Sequence, residues 1–275
     1  MTTDAQQQVD IVRVRTGTRT RDRDCAATEE PLEIRIHDRP FAVIMRTPGA
    51  DRELAAGFLL SERVLRSSDD LGTIAHCIDR DAAGNAAGNI VNVTLANGSA
   101  ASLEQLMAGR RQVTTNSSCG LCGRRTIESL AADAAPIGAS WTVAAATIAA
   151  MPAQLRARQV VFDETGGLHA AGLFSRDGAL ADSAEDVGRH NAVDKIVGRM
   201  LMREALPLSE WILCVSGRTS FEIVQKAVFA GIPVVAAVSA PSTLAISLAE
   251  TLGVTLIGFV RGDGFNIYAH PERIV

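Results

Sequence analysis

Aromatic side chains are scarce in this chain: Phe, Trp and Tyr together make up 4% of its 275 residues. Any core must therefore be built from Ala, Val, Leu and Ile, and a hydrophobic share of 47% is enough to build one of the α/β kind. An excess of charge of one sign is lacking as well. Lys and Arg number 27 against 31 Asp and Glu, a net −4. That balance excludes bulk nucleic-acid binding and leaves any anionic partner to local arginine clusters. No apolar run reaches membrane-spanning length; the stretch 141–151 comes nearest and is closed by Pro152. Met1-Thr2-Thr3-Asp4-Ala5-Gln6 has neither a basic start nor a hydrophobic centre, so no signal peptide is expected. Five cysteines without such a signal point to a reducing cytoplasm.

Two of those cysteines stand together, in Asn116-Ser117-Ser118-Cys119-Gly120-Leu121-Cys122-Gly123-Arg124-Arg125. Few apolar residues surround them, which predicts a surface loop. From Thr126 to Ala132 the pattern turns helical, placing Cys122 near a helix start beside two guanidinium groups. Both neighbours favour thiolate over thiol. The bare spacing is also that of a redox pair, half a zinc site, or two idle thiols. Zinc needs two more ligands, and no second CxxC or HxxxH supplies them. Cys25, Cys77 and Cys214 are scattered, and Cys214 sits in an apolar run where a thiol packs as a small hydrophobe.

Four segments are expected along the chain: a mobile lead over 1–27, a small α+β domain over 28–108, the cysteine loop with a short helix over 109–138, and an α/β domain over 139–275. Residues 9–14 alternate weakly, as an edge strand would. Period-two alternation predicts a hairpin over 32–36 and 41–45 and a strand over 90–95, with a helix from Asp51, read as its N-cap, to Leu60. In the second half, helix is expected over 141–151, broken by Pro152 and resumed over 154–156. A hairpin over 168–184 and a helix over 191–206 follow. Strand 211–215, helix 221–230, strand 233–238, helix 242–252 and strand 254–260 then give a βαβαβ order. That order implies a parallel section extended by the antiparallel hairpin.

Ligands of open α/β sheets collect outside the carboxyl ends of strands. Three such ends are polar here: Ser216-Gly217-Arg218-Thr219-Ser220, Ser239-Ala240-Pro241-Ser242-Thr243 and Phe259-Val260-Arg261-Gly262-Asp263-Gly264. The first offers backbone N–H groups, hydroxyls and an arginine at a helix start, a phosphate cradle, though a plain Ser/Thr cap would also explain it. A fourth cluster, from Glu185 to Lys195, packs Asp186, Arg189, His190, Asn191, Asp194 and Lys195 around one helix start. Together the four suggest a large polyanionic ligand of nucleotide type.

Five stretches, taken in order, closely resemble the FdhD family, the accessory sulfurtransferases of formate dehydrogenases. They are Cys119-Gly120-Leu121-Cys122-Gly123, Gly166-Gly167-Leu168-His169-Ala170-Ala171, the run from Glu185 to Lys195, Ser216-Gly217-Arg218-Thr219-Ser220-Phe221-Glu222, and Ile257-Gly258-Phe259-Val260-Arg261. The likeness runs from about Glu30 to the C-terminus and includes Arg46-Thr47-Pro48-Gly49. It implies a larger C-terminal mixed-sheet domain like that of cytidine deaminases, a smaller N-terminal α+β domain, and a homodimer. It also implies a sulfur carrier. Sulfur would come as persulfide from a cysteine desulfurase and pass to Mo-bis(molybdopterin guanine dinucleotide), which is then inserted into formate dehydrogenase. Cys119 matches the persulfide carrier and Cys122 the second cysteine of the motif. The segment Phe259 to Gly264 matches the cofactor-binding stretch, to which the strand-end argument adds Ser216, Gly217, Arg218, Thr219 and His190. GDP is the expected mimic of the cofactor's nucleotide end. The His-x-Glu and Pro-Cys-x-x-Cys zinc set of deaminases is missing at the helix starts, so zinc and deamination are not expected. Two rival classes remain at this stage: a dithiol redox enzyme using Cys119 and Cys122, and a cofactor chaperone that needs neither thiol.

Overall fold

The computed structural model describes residues 5–77, 88–96 and 134–275. The cysteine loop, with Cys119 and Cys122, and the short helix expected after it lie outside the described residues.

The lead expected over 1–27 is in large part a hairpin. Strand β1 (Gln6–Arg15) pairs antiparallel with β2 (Thr18–Ala27), Gln6 opposite Ala27 and Arg15 opposite Thr18. Thr16 and Gly17 both have positive φ, 45° and 85°, the two-residue turn whose twist suits a hairpin. Asn or Asp before the glycine would have advertised that turn; Thr does not. Cross-strand pairs Arg13–Asp22 at 2.7 Å and Arg23–Asp10 at 3.3 Å stand in for a buried face.

The next hairpin, β3 (Glu30–Ile36) with β4 (Arg39–Arg46), agrees with its alternation: Leu32, Ile34 and Ile36 are buried, while Glu33 and Arg35 pair at 2.8 Å on the other face. Strand β5 (Leu71–His76), which alternation does not reveal because both its faces are largely exposed, runs antiparallel to β6 (Ile90–Leu95). The sheet order is β4-β3-β6-β5. Helix α1 (Asp51–Ser61) is not capped by Asp51. The cap is Ala50 at φ 55°, and the Asp51 carboxylate takes two hydrogen bonds from Arg46, at 3.0 and 2.9 Å. Arg46 is 1% exposed, and a buried guanidinium needs a carboxylate more than a helix start needs this cap.

The second half holds helix α2 (Ala145–Arg156), α3 (Val160–Thr165), the hairpin β7 (His169–Ser175) and β8 (Leu180–Asp186), and helix α4 (Arg189–Met202). After them come β9 (Trp211–Val215), α5 (Phe221–Ala230), β10 (Val234–Ala237), α6 (Thr243–Leu252), β11 (Thr255–Arg261) and β12 (Gly264–Ala269). Helix α2 runs through Pro152 instead of breaking there. Proline removes one N–H from the ladder, but Ile148, Met151 and Leu155 bury one helical face across the gap. Its start is later than expected, because Val143 bonds the C-terminal backbone at Arg273 and Val275. Gly231 and Gly253, at φ 77° and 75°, close α5 and α6 as expected.

The strand order is β12-β11-β10-β9-β7-β8, with β9, β10 and β11 parallel and antiparallel strands on either side. The chain is α+β with a mixed sheet. The two larger sheets share a core through α1 and α4, which cross at backbone contact. A Cβ on Gly57 would lie 2.0 Å from the Asp194 oxygen, and one on Gly198 would lie 1.9 Å from the Glu53 oxygen. Buried charges pin the same crossing. Lys226 meets both oxygens of Asp194 at 2.8 Å, and the Ser61 hydroxyl donates to Asp194 at 3.0 Å. No helix among the described residues is long and apolar enough to cross a membrane.

Candidate functional site

The parallel strands β9, β10 and β11 deliver their carboxyl ends to one edge, where antiparallel β7 begins. Ser216 continues the ladder there: its N–H donates to the Ala170 carbonyl at 3.0 Å, and its hydroxyl accepts from the Ala170 N–H at 2.9 Å. The loops after β9 and β10 are stitched together, with the Thr219 N–H on the Ala240 carbonyl at 3.2 Å and the Ser242 N–H on the Thr219 carbonyl at 3.0 Å. Ser242 caps α6 through the Ala245 N–H at 3.3 Å. Arg261, last in β11, donates from Nε to the Val238 carbonyl at 3.1 Å and lies 5.8 Å from the centre of the Phe259 ring.

These ends wall a cavity of about 650 Å³, closed on its other side by α2, α3 and the loop before β7. Leu155, Phe162, Leu168, Val238 and Val260 make its apolar walls; Gln159, His169, Ser216 and Arg261 bring polar groups. The volume suits a small-molecule site. A second cavity of about 270 Å³ opens at the start of α4, between Glu29, Met45 and the run from Val187 to Asn191, and His169 lines both.

The helix start beneath the second cavity is built by Asp186, which is fully buried. Its carboxylate accepts from the N–H groups of Gly188 and Thr47 and from Asn191 Nδ2, and Lys195 lies on it at 2.8 Å. With Asp186 so occupied, Arg189 brings a positive charge to the cavity, opposite Glu29 on its other wall. Burial, and after it Arg189, His190 and Arg218, hold His169 below the ordinary imidazole range, so near neutral pH it is an uncharged donor and acceptor. A Cβ on Gly217 would meet His169 Nδ1 at 3.2 Å, so glycine lets this loop close on the imidazole. His190 Nε2 stands 3.0 Å from the Ser220 hydroxyl and 3.5 Å from Glu222. That hydrogen bond with His190 is the main cause holding the Glu222 carboxyl down at about 2, against burial and with help from Ser220.

The sequence-predicted residues thus separate. Ser216, Val260 and Arg261 line the large cavity and His190 the smaller one, while Gly217 and Arg218 flank His169. Phe259, at φ 55°, presents its ring to Arg261. Thr219 is buried behind the wall, and Gly262, Asp263 and Gly264 form an exposed turn between β11 and β12 that contributes nothing to either cavity wall. Cys214 is inert: burial pushes its thiol up to about 12. Sequence reasoning missed Gln159, and named His169 only inside a longer motif. Among the described residues, six buried side-chain polar atoms lack a partner, and two of them, Gln159 Nε2 and Arg189 Nε, belong to residues that line these cavities. Such an orphan costs about 1–3 kcal/mol, so its gathering around one pair of cavities points to a ligand.

A model of the FdhD/NarQ family matches residues 27–275. The chain belongs to the FdhD/NarQ family. Among FdhD relatives, the sulfur carrier protein FdhD of Streptomyces avermitilis is 50% identical over 272 residues, 96% of this chain and 94% of that one. The sulfur carrier protein FdhD of Mycobacterium tuberculosis is 50% identical over 254 residues, covering 90% and 91%. A crystal structure from Desulfotalea psychrophila, described as a formate dehydrogenase accessory protein, matches with a TM-score of 0.76 at 25% identity, covering 98% of this chain and 100% of the other. The α+β architecture is therefore that of an FdhD fold.

Proposed function

We propose that this chain is a sulfur carrier serving formate dehydrogenase. It accepts persulfide sulfur from a cysteine desulfurase on Cys119 and passes it to Mo-bis(molybdopterin guanine dinucleotide) before that cofactor is inserted, acting as a cytoplasmic homodimer. The observation that carries the reading is the pairing of 50% identity to a sulfur carrier protein over 96% of the chain with a nucleotide-sized cavity at the strand ends. A redox enzyme working on its own dithiol would have no use for that cavity.

In loading, the Cys119 thiolate attacks the outer sulfur of the desulfurase persulfide, forming Cys119–S–SH and releasing the desulfurase thiolate. In delivery, the Cys122 thiolate attacks the inner sulfur of that persulfide. A Cys119–Cys122 disulfide forms, the two electrons pass to the outer sulfur, and it leaves as hydrosulfide to replace an oxygen ligand of the molybdenum substrate, which departs as hydroxide. An external thiol reductant then reopens the disulfide. Arg124 and Arg125 favour the thiolates. Ser216, Arg261 and the helix start at Arg189 supply donors and positive charge for the phosphates of the substrate, while the apolar wall excludes water from its base.

Incubation with a cysteine desulfurase and cysteine should add the mass of one sulfur to the wild type and none to Cys119→Ala. Uptake by that variant would defeat the assignment. Formate dehydrogenase activity restored by Cys119→Ala would instead favour a chaperone that only protects and delivers the cofactor. Sedimentation of the purified chain as a monomer at working concentrations would remove the homodimer from this reading.

A further inference from the structure

Gln159 is an uncharged side chain of the large cavity whose buried nitrogen has no partner. Ser216 is already engaged with Ala170, whereas Gln159 is 4% exposed and its Nε2 has no acceptor. It holds the N-cap position of α3 but makes no side-chain cap. The Glu185 carboxylate does that instead, accepting from the N–H groups of Val161 and Phe162 at 3.1 and 2.9 Å. Helix α3 would therefore stand without an amide at 159, and the apolar residues beside it give no reason to bury one. An amide retained under those conditions is there for what enters the cavity.

We infer that Gln159 reads the heterocycle of the ligand by its lactam edge, a carbonyl oxygen beside a ring N–H. An amide carries a donor and an acceptor side by side. Its Nε2 donates to the lactam carbonyl while its Oε1 accepts from the ring N–H, and the last torsion of a Gln side chain is soft enough to turn the pair toward the cavity. Leu155, Phe162 and Val260 offer apolar surface to the ring faces. Guanine and a pterin share this edge; adenine has an amino donor where the carbonyl would stand. The inference rests on the reading of this cavity as the nucleotide site and adds the residue that selects the base.

Calorimetric titration of the full chain with GDP, ADP and free pterin tests it, on the wild type, Gln159→Leu and Gln159→Glu. The wild type should prefer GDP to ADP, and both variants should bind GDP about tenfold to a hundredfold more weakly, the effect of losing one or two buried hydrogen bonds. The leucine variant should melt no lower than the wild type, since it removes an unpaired polar atom; a purely structural glutamine would show the reverse. Loss confined to pterin supports the lactam contact and assigns it to that source. GDP and pterin bound as tightly by both variants as by the wild type, or ADP bound as tightly as GDP, overturns the inference alone. A wild type that binds none of the three overturns the nucleotide reading of the cavity, and the inference with it.

Discussion

Replacing Gly198 by Ala sets two effects of opposite sign against each other. Helix propensity favours alanine over glycine within α4 by about 0.8–1.0 kcal/mol. Against it stands the crossing with α1, where the new methyl carbon would lie 1.9 Å from the Glu53 carbonyl oxygen and 2.6 Å from the Gly57 nitrogen. Both obstacles are backbone, so no side chain can swing away. To reach an ordinary contact of 3.4 Å the helices must part by about 1.5 Å. Separations of 0.5–1 Å already forfeit roughly a quarter to a half of the dispersion energy across a contact, and Leu54, Ile196 and Val197, all fully buried, stand on these two helices. Overpacking of this kind costs about 1–3 kcal/mol, and a rigid obstacle puts it at the upper end. A net loss of about 2 kcal/mol is expected, which for a chain of this size lowers the melting temperature by about 4–8 °C. Thermal and urea unfolding of Gly198→Ala beside the wild type would measure it. A variant equal to the wild type, or more stable by the propensity difference, refutes the argument.

Three further outcomes follow from the site. Breaking the buried Lys195–Asp186 pair with Lys195→Met should destabilise by about 3–5 kcal/mol in urea unfolding, because it leaves the buried Asp186 carboxyl without its ion-pair partner. The depressed Glu222 carboxyl gives the fold stability that is fully present above its ordinary value of 4.5 and is lost as pH falls toward about 2. Stability measured against pH should therefore fall less steeply across that window in Glu222→Gln, and an unchanged slope would show that the His190 contact does not govern it. Arg261→Ala should weaken GDP binding about tenfold or more while leaving sulfur loading on Cys119 intact; equal loss of both would contradict separate stations for sulfur and nucleotide.

The core strands of the C-terminal sheet were legible because each is bounded by local chemistry. Apolar runs such as Trp211–Val215 end in polar strand-end loops, and Gly231 and Gly253 mark the helix ends. The hairpin of β1 and β2 was not legible, since its strands bury almost nothing and their pairing is carried by backbone bonds and exposed charges. Strand β5 escaped for the same reason. Pro152 misled because tertiary burial of α2 outweighed the missing N–H. At the site, Ser216, Arg261 and His190 could be found from their place at strand ends and a helix start. Gln159 could not: it lies between charged and apolar neighbours with no motif around it, and only the lack of a partner in three dimensions sets it apart.

The bonds that join Thr219 to Ala240 and Ser242 make one body of two loops that the chain separates by a whole helix. A displacement begun at Ser216 is thereby handed across the sheet edge to the entrance of α6. The two loops are held as a single hoop, and a bound molecule meets a frame whose shape was set before it arrived.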